Sequence, residues 1–265
     1  MVEQRIDGQP ALAEDLGQFV LSNYGAFTSM VVEDGAVRGL DLHLARLAAE
    51  ALELFGQAVP EAVLRTRMRQ ALAGRAGRFG LRVNLFSPQI SLRQPSAVVT
   101  PHVLTTLSAA PSALDRPIRV QAQVYAREMA HLKHNATLGL TLARRRAQAA
   151  GFDDALFVDA DGLISEGSVW NLGLIQGETV VWPQAPQLAG TGMALIRRGL
   201  EGQGMATVTR PVFLGEIPEF DGAFLCNATT PACAILAIDG CEYPNDPKVL
   251  ERLITAWRSN PCQMI

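Results

Sequence analysis

Short apolar segments separated by polar turns run through the first part of the chain. Residues 27–32 form one such segment, Glu33-Asp34-Gly35 follows it, and residues 36–40 form the next. Two apolar segments on either side of an acidic turn with glycine predict a β-hairpin. Further strands are predicted at 80–86 and 97–104.

After the hairpin the apolar positions repeat with the period of a helix. They fall at positions 44, 47, 48, 51, 52 and 54. This spacing predicts an amphipathic helix with Asp41 as its N-cap. A second helix is predicted over residues 60–73, and Gly74 ends it. Strands and helices mixed in this way predict an α+β arrangement of layers.

Residues 108–117 interrupt this pattern. They are small or polar and include two prolines, which is typical of a linker. We therefore expect two domains in an α+β fold, a small N-terminal domain at residues 1–112 and a larger, strand-rich domain with helices at 118–265.

The second half of the chain continues with strands and helices. Strands are predicted at 118–125, 154–158, 163–165, 170–175, 179–182, 206–213 and 222–226, and helices at 135–150 and 190–203. In the first of these helices Leu138, Leu142 and Ala149 are expected to face inward.

Composition and charge narrow the class of protein. The chain has 265 residues, 48% of them hydrophobic, and a net charge of -3, which argues against nucleic acid as the main partner. Residues 1–7 have no apolar signal core, and Asn227 and Pro231 break the apolar stretch 223–238. No secretion signal and no membrane span are expected, and we expect a soluble, cytoplasmic protein.

The four cysteines form no CxxC pair. They lie at positions 226, 233, 241 and 262. Without metal-ligand spacing, they are predicted to be buried free thiols.

Lysine is rare in this chain. Of 23 basic residues only Lys133 and Lys248 are lysines. Arginine replaces lysine as a solvated charge, but it cannot replace a nucleophilic amine because guanidinium stays protonated. Lys248 lies in a polar Asn-Asp-Pro-Lys segment that favours a surface charge. Composition alone leaves open whether Lys133 was retained by chance or for its chemistry.

Several motifs occur in a fixed order around Lys133. They are His43-Leu44-Ala45-Arg46-Leu47, His131-Leu132-Lys133-His134-Asn135, Gly151-Phe152-Asp153-Asp154-Ala155-Leu156, Ser165-Glu166-Gly167 with Asn171, Gly190-Thr191-Gly192, and Cys226-Asn227-Ala228-Thr229-Thr230. In order and spacing they resemble the class IV, or fold-type IV, aminotransferases, which include branched-chain and D-amino acid aminotransferases and aminodeoxychorismate lyases. The resemblance covers most of the chain. The E-G-x-x-x-N element with its upstream lysine is fairly specific, whereas H-x-x-R-L alone is weak.

The resemblance implies pyridoxal 5'-phosphate as the cofactor and Lys133 as the residue that holds it. A lysine amine condenses with an aldehyde and afterwards is free to move a proton. Glu166 occupies the position of the carboxylate that keeps the ring nitrogen protonated. Without the resemblance, a surface lysine is an open alternative for Lys133, and Glu166 would be interpreted as a solvated turn residue.

The same resemblance implies a set of phosphate contacts. Arg46 matches the phosphate arginine, although it also fits a surface helix arginine. The amides of Thr191 and Gly192 begin a predicted helix, where phosphate binds well. Ala228 stands where relatives have a hydroxyl residue, so its amide or the Thr229 hydroxyl would serve. Asn171 would brace Glu166 or the surroundings of Lys133.

Departures from the family pattern concern the substrate. Thr28 follows Phe27 where transaminases usually have glutamate, and this looks more like the lyase members. Ala136 stands where the family has asparagine, and Gly192-Met193 also departs from the common pattern. Arg82 matches a position that faces the active site in some relatives, where it would receive a substrate carboxylate. An ion pair or an exposed edge charge fits Arg82 equally well.

The sequence therefore predicts an enzyme that acts on small molecules. The first hypothesis is a homodimeric aminotransferase that moves an amino group between an amino acid and a 2-oxo acid. The alternatives are a β-eliminating lyase of the aminodeoxychorismate kind and a non-catalytic relative with a binding role. His131 and His134 have no third ligand at a telling spacing, so no metal is expected.

Overall fold

The computed structural model describes residues 2–265, apart from the side chains of Asp15 and Gln18. The chain divides into two compact units. The first unit contains the described residues up to Pro111 together with Leu132–Ala136 and Pro261–Ile265. The second unit contains Ser112–His131 and Thr137–Asn260.

Helices and strands are interspersed along the described residues. Up to residue 110 they are β1 (Glu3–Ile6), β2 (Gln9–Pro10), α1 (Ala13–Ser22), β3 (Ala26–Glu33), β4 (Ala36–Arg38), α2 (Leu40–Phe55), α3 (Glu61–Leu72), β5 (Arg78–Phe86) and β6 (His102–Ala109). They continue with β7 (Ile118–Val124), α4 (Leu138–Ala149), β8 (Asp154–Val158), β9 (Ile164–Gly167), β10 (Asn171–Gln176), β11 (Thr179–Pro183), α5 (Thr191–Gly202) and β12 (Thr207–Arg210). A 3-10 helix (Leu214–Glu219), β13 (Gly222–Cys226), β14 (Cys233–Ile238), β15 (Cys241–Glu242), α6 (Pro247–Arg258) and β16 (Cys262–Met264) complete the chain. The mixture confirms the predicted α+β class.

The first unit has a seven-stranded antiparallel sheet with the order β16-β4-β3-β5-β6-β1-β2. Met30 of β3 and Val83 of β5 join a buried cluster with apolar residues of α2 and α3. Because side chains alternate along a strand, the paired residues Phe27 and Asn84 lie on the opposite face, and so does Arg82. One face of this sheet therefore packs against helices, and the other carries the polar side chains of Arg82 and Asn84.

The start of α2 differs from the prediction that Asp41 is its N-cap. The N-cap is Gly39, in the left-handed conformation with φ of 73°, and no side chain caps the helix. Glycine adopts this conformation without strain, so the chain passes directly from β4 into α2. Asp41 lies in the first turn, and the prediction was wrong.

The strand predicted at 97–104 is displaced along the chain. β6 begins at His102, directly after Thr100-Pro101, and runs to Ala109, into the predicted linker. Proline lacks an N–H for the ladder, which favours a strand start after it. The two units meet along the chain between Pro111 and Ser112, within residues 108–117. That residues 1–112 and 118–265 are separate domains stays a prediction.

The second unit has a nine-stranded sheet in which six strands close into a ring. The order is β12-β11-β10-β13-β14-β7-β8-β9, with β15 on β14, and β9 pairs back onto β10. The closing pair is Glu166 of β9 with Asn171 of β10. This closure places two of the predicted site residues side by side.

Helix α4 packs through a different face from the one predicted. Leu140, Ala143 and Ala147 are buried against β8, whereas Leu138 is 80% and Leu142 is 41% exposed. The two alanines lie four residues apart on one face, where small side chains allow close packing. The helix also begins three residues later than predicted, because residues 132–136 belong to the first unit.

Several elements had no counterpart in the predictions. They are β1, β2, α1, the 3-10 helix, β14, β15, α6 and β16. Asp246 caps α6 by accepting the amides of Lys248 and Val249, so Lys248 lies in the first turn of a helix and is exposed. No helix in residues 2–265 has both the length and the apolar character needed to cross a membrane.

The cysteines are all free thiols, as predicted, but they are not all buried. Cys226 and Cys233 are buried, Cys241 is half-buried and Cys262 is exposed. Cys262 is exposed because it lies in β16, an edge strand of the first sheet.

Candidate active site

Lys133 lies in a short segment that pairs with the start of β3 in the first unit. The Phe27 amide donates to the Lys133 carbonyl at 2.9 Å, and the Asn135 amide donates to the Gly25 carbonyl at 2.9 Å. The half-buried Lys133 side chain places its Nζ 5.0 Å from the centre of the Phe27 ring. The lysine is thus held by its backbone, with its amine over an aromatic face.

A buried carboxylate also holds this segment. The Lys133 amide donates to Oε1 of Glu50 at 2.5 Å, and Glu50 is 2% exposed. Glu50 lies one helical turn after Arg46 on α2. Sequence reasoning missed Glu50, although its spacing of four from Arg46 and seven from His43 places all three on one helix face.

Arg46 is half-buried and belongs to a network with Thr28 and His43. The Arg46 guanidinium donates to the Thr28 hydroxyl at 2.5 Å. The Thr28 Oγ1 and the His43 Nδ1 are 2.6 Å apart. Since the Thr28 oxygen accepts from Arg46, its own proton is available for a neutral imidazole nitrogen. Thr28 is fully buried. Its hydroxyl therefore contacts Arg46 and His43.

The same network sets the ionisation of His43. Burial, reinforced by the positive charges of Arg46 and Lys133, lowers the pKa of His43 from 6.5 to about 3. The imidazole therefore stays neutral in the folded protein at ordinary pH. This agrees with a Thr28 hydroxyl that donates to Nδ1.

His43 should make the protein sensitive to acid. The unfolded chain binds a proton at this residue below pH 6.5, whereas the folded chain does so only near pH 3. Stability from His43 is therefore present above pH 6.5 and is lost as the pH falls, by up to about 1.4 kcal/mol per pH unit. Urea unfolding between about pH 7 and pH 4 measures this slope. The variant His43→Asn should show a weaker dependence of the unfolding free energy on pH. The control variant His131→Asn, at an exposed position, should keep the slope of the wild type. Equal slopes in the two variants would contradict the assignment to His43.

Arg82 lies on the sheet face that carries Phe27. Its guanidinium carbon is 3.5 Å from the centre of the Phe27 ring, and its Nε donates to Oδ1 of Asn84 at 3.1 Å. The Asn84 amide donates in turn to Oδ1 of Asn135, at 2.8 Å. Partial burial lowers the pKa of the Arg82 guanidinium below its ordinary value, and arginine stays a cation in proteins. Phe27 is therefore the common contact of the arginine and the lysine.

Glu166 is a buried carboxylate at the end of β9 in the second unit. Its Oε1 accepts from Nη1 of Arg127 at 3.3 Å, and both side chains are 6% exposed. Its Oε2 accepts the Leu188 amide at 3.2 Å. These donors stabilise a carboxylate. Sequence reasoning did not find Arg127, which lies 39 residues before Glu166 and in no recognised motif.

Asn171 connects Glu166 with the segment before α5. Its side-chain amide donates to the Leu188 carbonyl at 2.9 Å and to Oε1 of Gln187 at 3.0 Å. A Cβ on Gly190 would lie 1.9 Å from Oδ1 of Asn171, so only glycine fits there. Asn171 thus binds the carbonyl of the same residue, Leu188, whose amide donates to Glu166.

The first turn of α5 offers backbone amides to an anion. The first helical bond runs from the Ala194 amide to the Gly190 carbonyl, so the amides of residues 191–193 are not used within the helix. A Cβ on Gly192 would lie 2.4 Å from the carbonyl oxygen of Asn227. This close approach brings the helix start against the turn at 227–230.

The turn at 227–230 is ordered by its own asparagine. Oδ1 of Asn227 accepts the amides of Thr229 and Thr230, at 2.9 and 2.8 Å. Ala228 and Thr229 are half-buried. Amides at a helix start beside a threonine hydroxyl form a donor set that fits a phosphate group. This part of the structure therefore suits the phosphate of the predicted cofactor.

The predicted residues fall into two groups, one in each unit. The first unit carries Lys133, Arg46, Thr28 and Arg82, and the second carries Glu166, Asn171, Thr191, Gly192, Ala228 and Thr229. Lys133 was predicted in the C-terminal domain, and its segment instead belongs to the first unit. Within residues 2–265, no group of three His, Cys, Asp or Glu side chains is placed to hold a metal ion.

The chain is similar to known proteins in sequence pattern and in fold. Residues 25–238 match the family model for class IV amino-transferases. The fold is similar to that of a branched-chain aminotransferase from Thermoproteus uzoniensis, with a TM-score of 0.84, 20% identity, and coverage of 97% of this chain and 93% of that one. It is also similar to a putative 4-amino-4-deoxychorismate lyase from Legionella pneumophila, with a TM-score of 0.79, 20% identity, and coverage of 92% and 93%.

A third similar structure is a hypothetical aminotransferase from Mycobacterium tuberculosis in a PLP-bound form. Its TM-score is 0.78 at 20% identity, with coverage of 98% of this chain and 99% of that one. No curated protein sequence matches the chain. Because the family model spans most of the sequence, the chain belongs to the class IV aminotransferases, enzymes that depend on pyridoxal 5'-phosphate, as its motifs predicted.

Proposed function

We propose that this enzyme moves an amino group between an amino acid and a 2-oxo acid, with Lys133 as its catalytic residue. The observation that carries this proposal is the placement of Lys133. Its backbone is hydrogen-bonded to Phe27, and its amine lies 5.0 Å from the centre of the Phe27 ring. A solvated surface lysine needs no such attachment.

Lys133 has two tasks in this proposal. Pyridoxal 5'-phosphate, when bound, supplies an electron sink for the bonds at the substrate Cα. The Lys133 amine would hold the cofactor covalently. The same amine would act as the base that accepts the proton from the substrate Cα.

Glu166 would hold the proton on the ring nitrogen. A carboxylate beside that nitrogen keeps it protonated. The guanidinium of Arg127 and the amide of Leu188 support the ionised form of Glu166. Asn171 would act through Leu188, whose carbonyl it binds.

The phosphate would be held by a cation and by backbone donors. We assign the cation to Arg46 and the backbone donors to the amides of Thr191 and Gly192. The Ala228 amide or the Thr229 hydroxyl completes the set. The close approach of Gly192 to Asn227 places the start of α5 against the turn that carries Ala228 and Thr229.

Arg82 would receive the substrate carboxylate. It is a half-buried cation on the same sheet face as Phe27. Thr28, in contrast, has its hydroxyl engaged by Arg46 and His43. We therefore assign Thr28 to the positioning of Arg46 and no longer to a substrate contact.

The remaining expectations are also part of this proposal. We expect a homodimer in the cytoplasm whose partners are small molecules, an amino acid and a 2-oxo acid, and which binds neither nucleic acid nor membrane. The homodimer rests on the family resemblance alone. The net charge of -3 argues against nucleic acid, and the free thiols support the cytoplasm.

A lyase reaction is the second candidate. Phe27-Thr28, in place of Phe-Glu, favours it. In that reaction the same lysine would remove the Cα proton and a leaving group would depart from Cβ.

An amino-transfer assay separates the candidates. The cofactor-loaded protein is mixed with a panel of amino acids, with and without a 2-oxo acid acceptor. We expect a new 2-oxo acid only when an acceptor is present. Product release without an acceptor would indicate the lyase. A protein that binds the cofactor and turns over neither set of substrates would contradict both reactions.

A further inference from the structure

Glu50 is a buried acid that the chemistry above does not use. It is 2% exposed on α2, and glutamate is seldom buried to this degree unless a partner compensates for lost hydration. Its Oε1 accepts the backbone amide of Lys133 at 2.5 Å. One compensating contact is thus made with the backbone of Lys133.

The segment around Lys133 is also attached by hydrogen bonds of its backbone and of Asn135. The Lys133 carbonyl accepts from Phe27, and the Asn135 amide donates to Gly25. The Asn84 side chain donates to that of Asn135. The bond to Glu50 differs from these, because it acts on the Lys133 amide and joins the segment to α2.

The contact also joins Lys133 to a second functional residue. Glu50 follows Arg46 by four residues, so both side chains lie on one face of α2. A rigid helix thus carries the predicted phosphate cation and the acceptor that holds the lysine. The distance between these two groups is then set by one helical turn.

We propose that Glu50 is a positioning residue that fixes the Lys133 backbone to α2 by accepting its amide. This inference rests on the proposed function, since it matters for catalysis only if Lys133 holds the cofactor. The essential property of Glu50 is the length of its side chain, which brings an acceptor oxygen to the Lys133 amide, and not its charge. A misplaced lysine is costly, since a shift of about 1 Å in a reacting group can lower a rate about 100-fold.

Two substitutions separate reach from charge. Glu50→Gln keeps the length and an acceptor oxygen but removes the charge. Glu50→Asp keeps the charge but is one methylene shorter. The matched control is Glu53→Asp, on the same helix at an exposed position.

The first readout uses the cofactor-free protein. With only two lysines in the chain, limited acetylation followed by mass spectrometry gives the labelling of Lys133 relative to Lys248. We expect Glu50→Asp to change this ratio by about tenfold and to speed amide exchange in residues 132–136. Glu50→Gln and Glu53→Asp should match the wild type within about twofold. Exchange elsewhere in the first unit should stay unchanged, which separates local release from general destabilisation.

The second readout is turnover of the cofactor-loaded enzyme. The kcat of Glu50→Asp should fall by about 10- to 100-fold while that of Glu50→Gln stays near the wild type. Equal behaviour of Glu50→Asp and the wild type in labelling and exchange would overturn the inference. A Glu50→Gln variant as impaired as Glu50→Asp would overturn it too, because charge would then be the essential property.

Borohydride reduction keeps this inference distinct from the proposed function. If the wild type gains the reduced cofactor at Lys133, the assignment of the lysine stands whatever the Glu50 variants do. If it gains none there, the proposed function fails, and the inference fails with it as a statement about catalysis.

Discussion

Replacing Lys133 with alanine or arginine is expected to lower amino-transfer turnover by about 10⁴-fold. Alanine has no amine, and the guanidinium of arginine stays protonated, so neither holds the cofactor covalently or moves a proton. Arginine keeps the positive charge over the Phe27 ring, which makes it the more informative variant. The measurements are steady-state turnover and the mass of the borohydride-reduced protein.

The matched control for this prediction is Lys248→Arg. Lys248 is the only other lysine, and it is exposed in the first turn of α6. The control should keep full turnover and one reduced cofactor per chain. Turnover of Lys133→Arg within about tenfold of the wild type, or an adduct on Lys248, would show that another residue carries the chemistry.

Replacing Arg127 with leucine is expected to destabilise the protein by about 3–5 kcal/mol. The Arg127 and Glu166 side chains are each only 6% exposed. The substitution leaves a buried carboxylate without its guanidinium, and that costs far more than the pair itself contributes. Urea unfolding of the cofactor-free protein measures the loss.

Two further variants test the origin of this effect. The double variant Arg127→Leu with Glu166→Leu removes both charges and should recover most of the stability. Arg144→Leu removes a partly exposed arginine that lies 3.6 Å from Asp154, and it should cost no more than about 1 kcal/mol. If Arg127→Leu lowered the unfolding free energy as little as Arg144→Leu does, the ionised Glu166 would not depend on Arg127 for its burial.

The sequence predicted those features that depend on local pattern. The hairpin around Gly35, helix α5 and the strands before Glu166 all follow from turn residues and apolar spacing. The family and its cofactor followed from the order of motifs around Lys133. The start of α6 was also readable, since Asp246-Pro247 is a common helix opening, yet it was missed.

Features that depend on distant pairing were not predictable in this way. Arg127 and Glu166 are 39 residues apart, and Glu50 and Lys133 are 83 apart. Nothing in the local sequence indicates either contact, because both arise only when strands and helices have packed. The membership of residues 132–136 in the first unit has the same cause.

The first unit contains segments that lie far apart along the chain, and this affects its folding during synthesis. The outer neighbour of β4 in the sheet is β16, and Val37 pairs there with Gln263. On the ribosome, more than 200 residues separate these partners, and a loop of that length closes slowly. Until then the edge of β4 and part of the core beneath Ile265 are open. The nascent first unit should therefore be protease-sensitive and bind chaperones until residues 262–265 emerge.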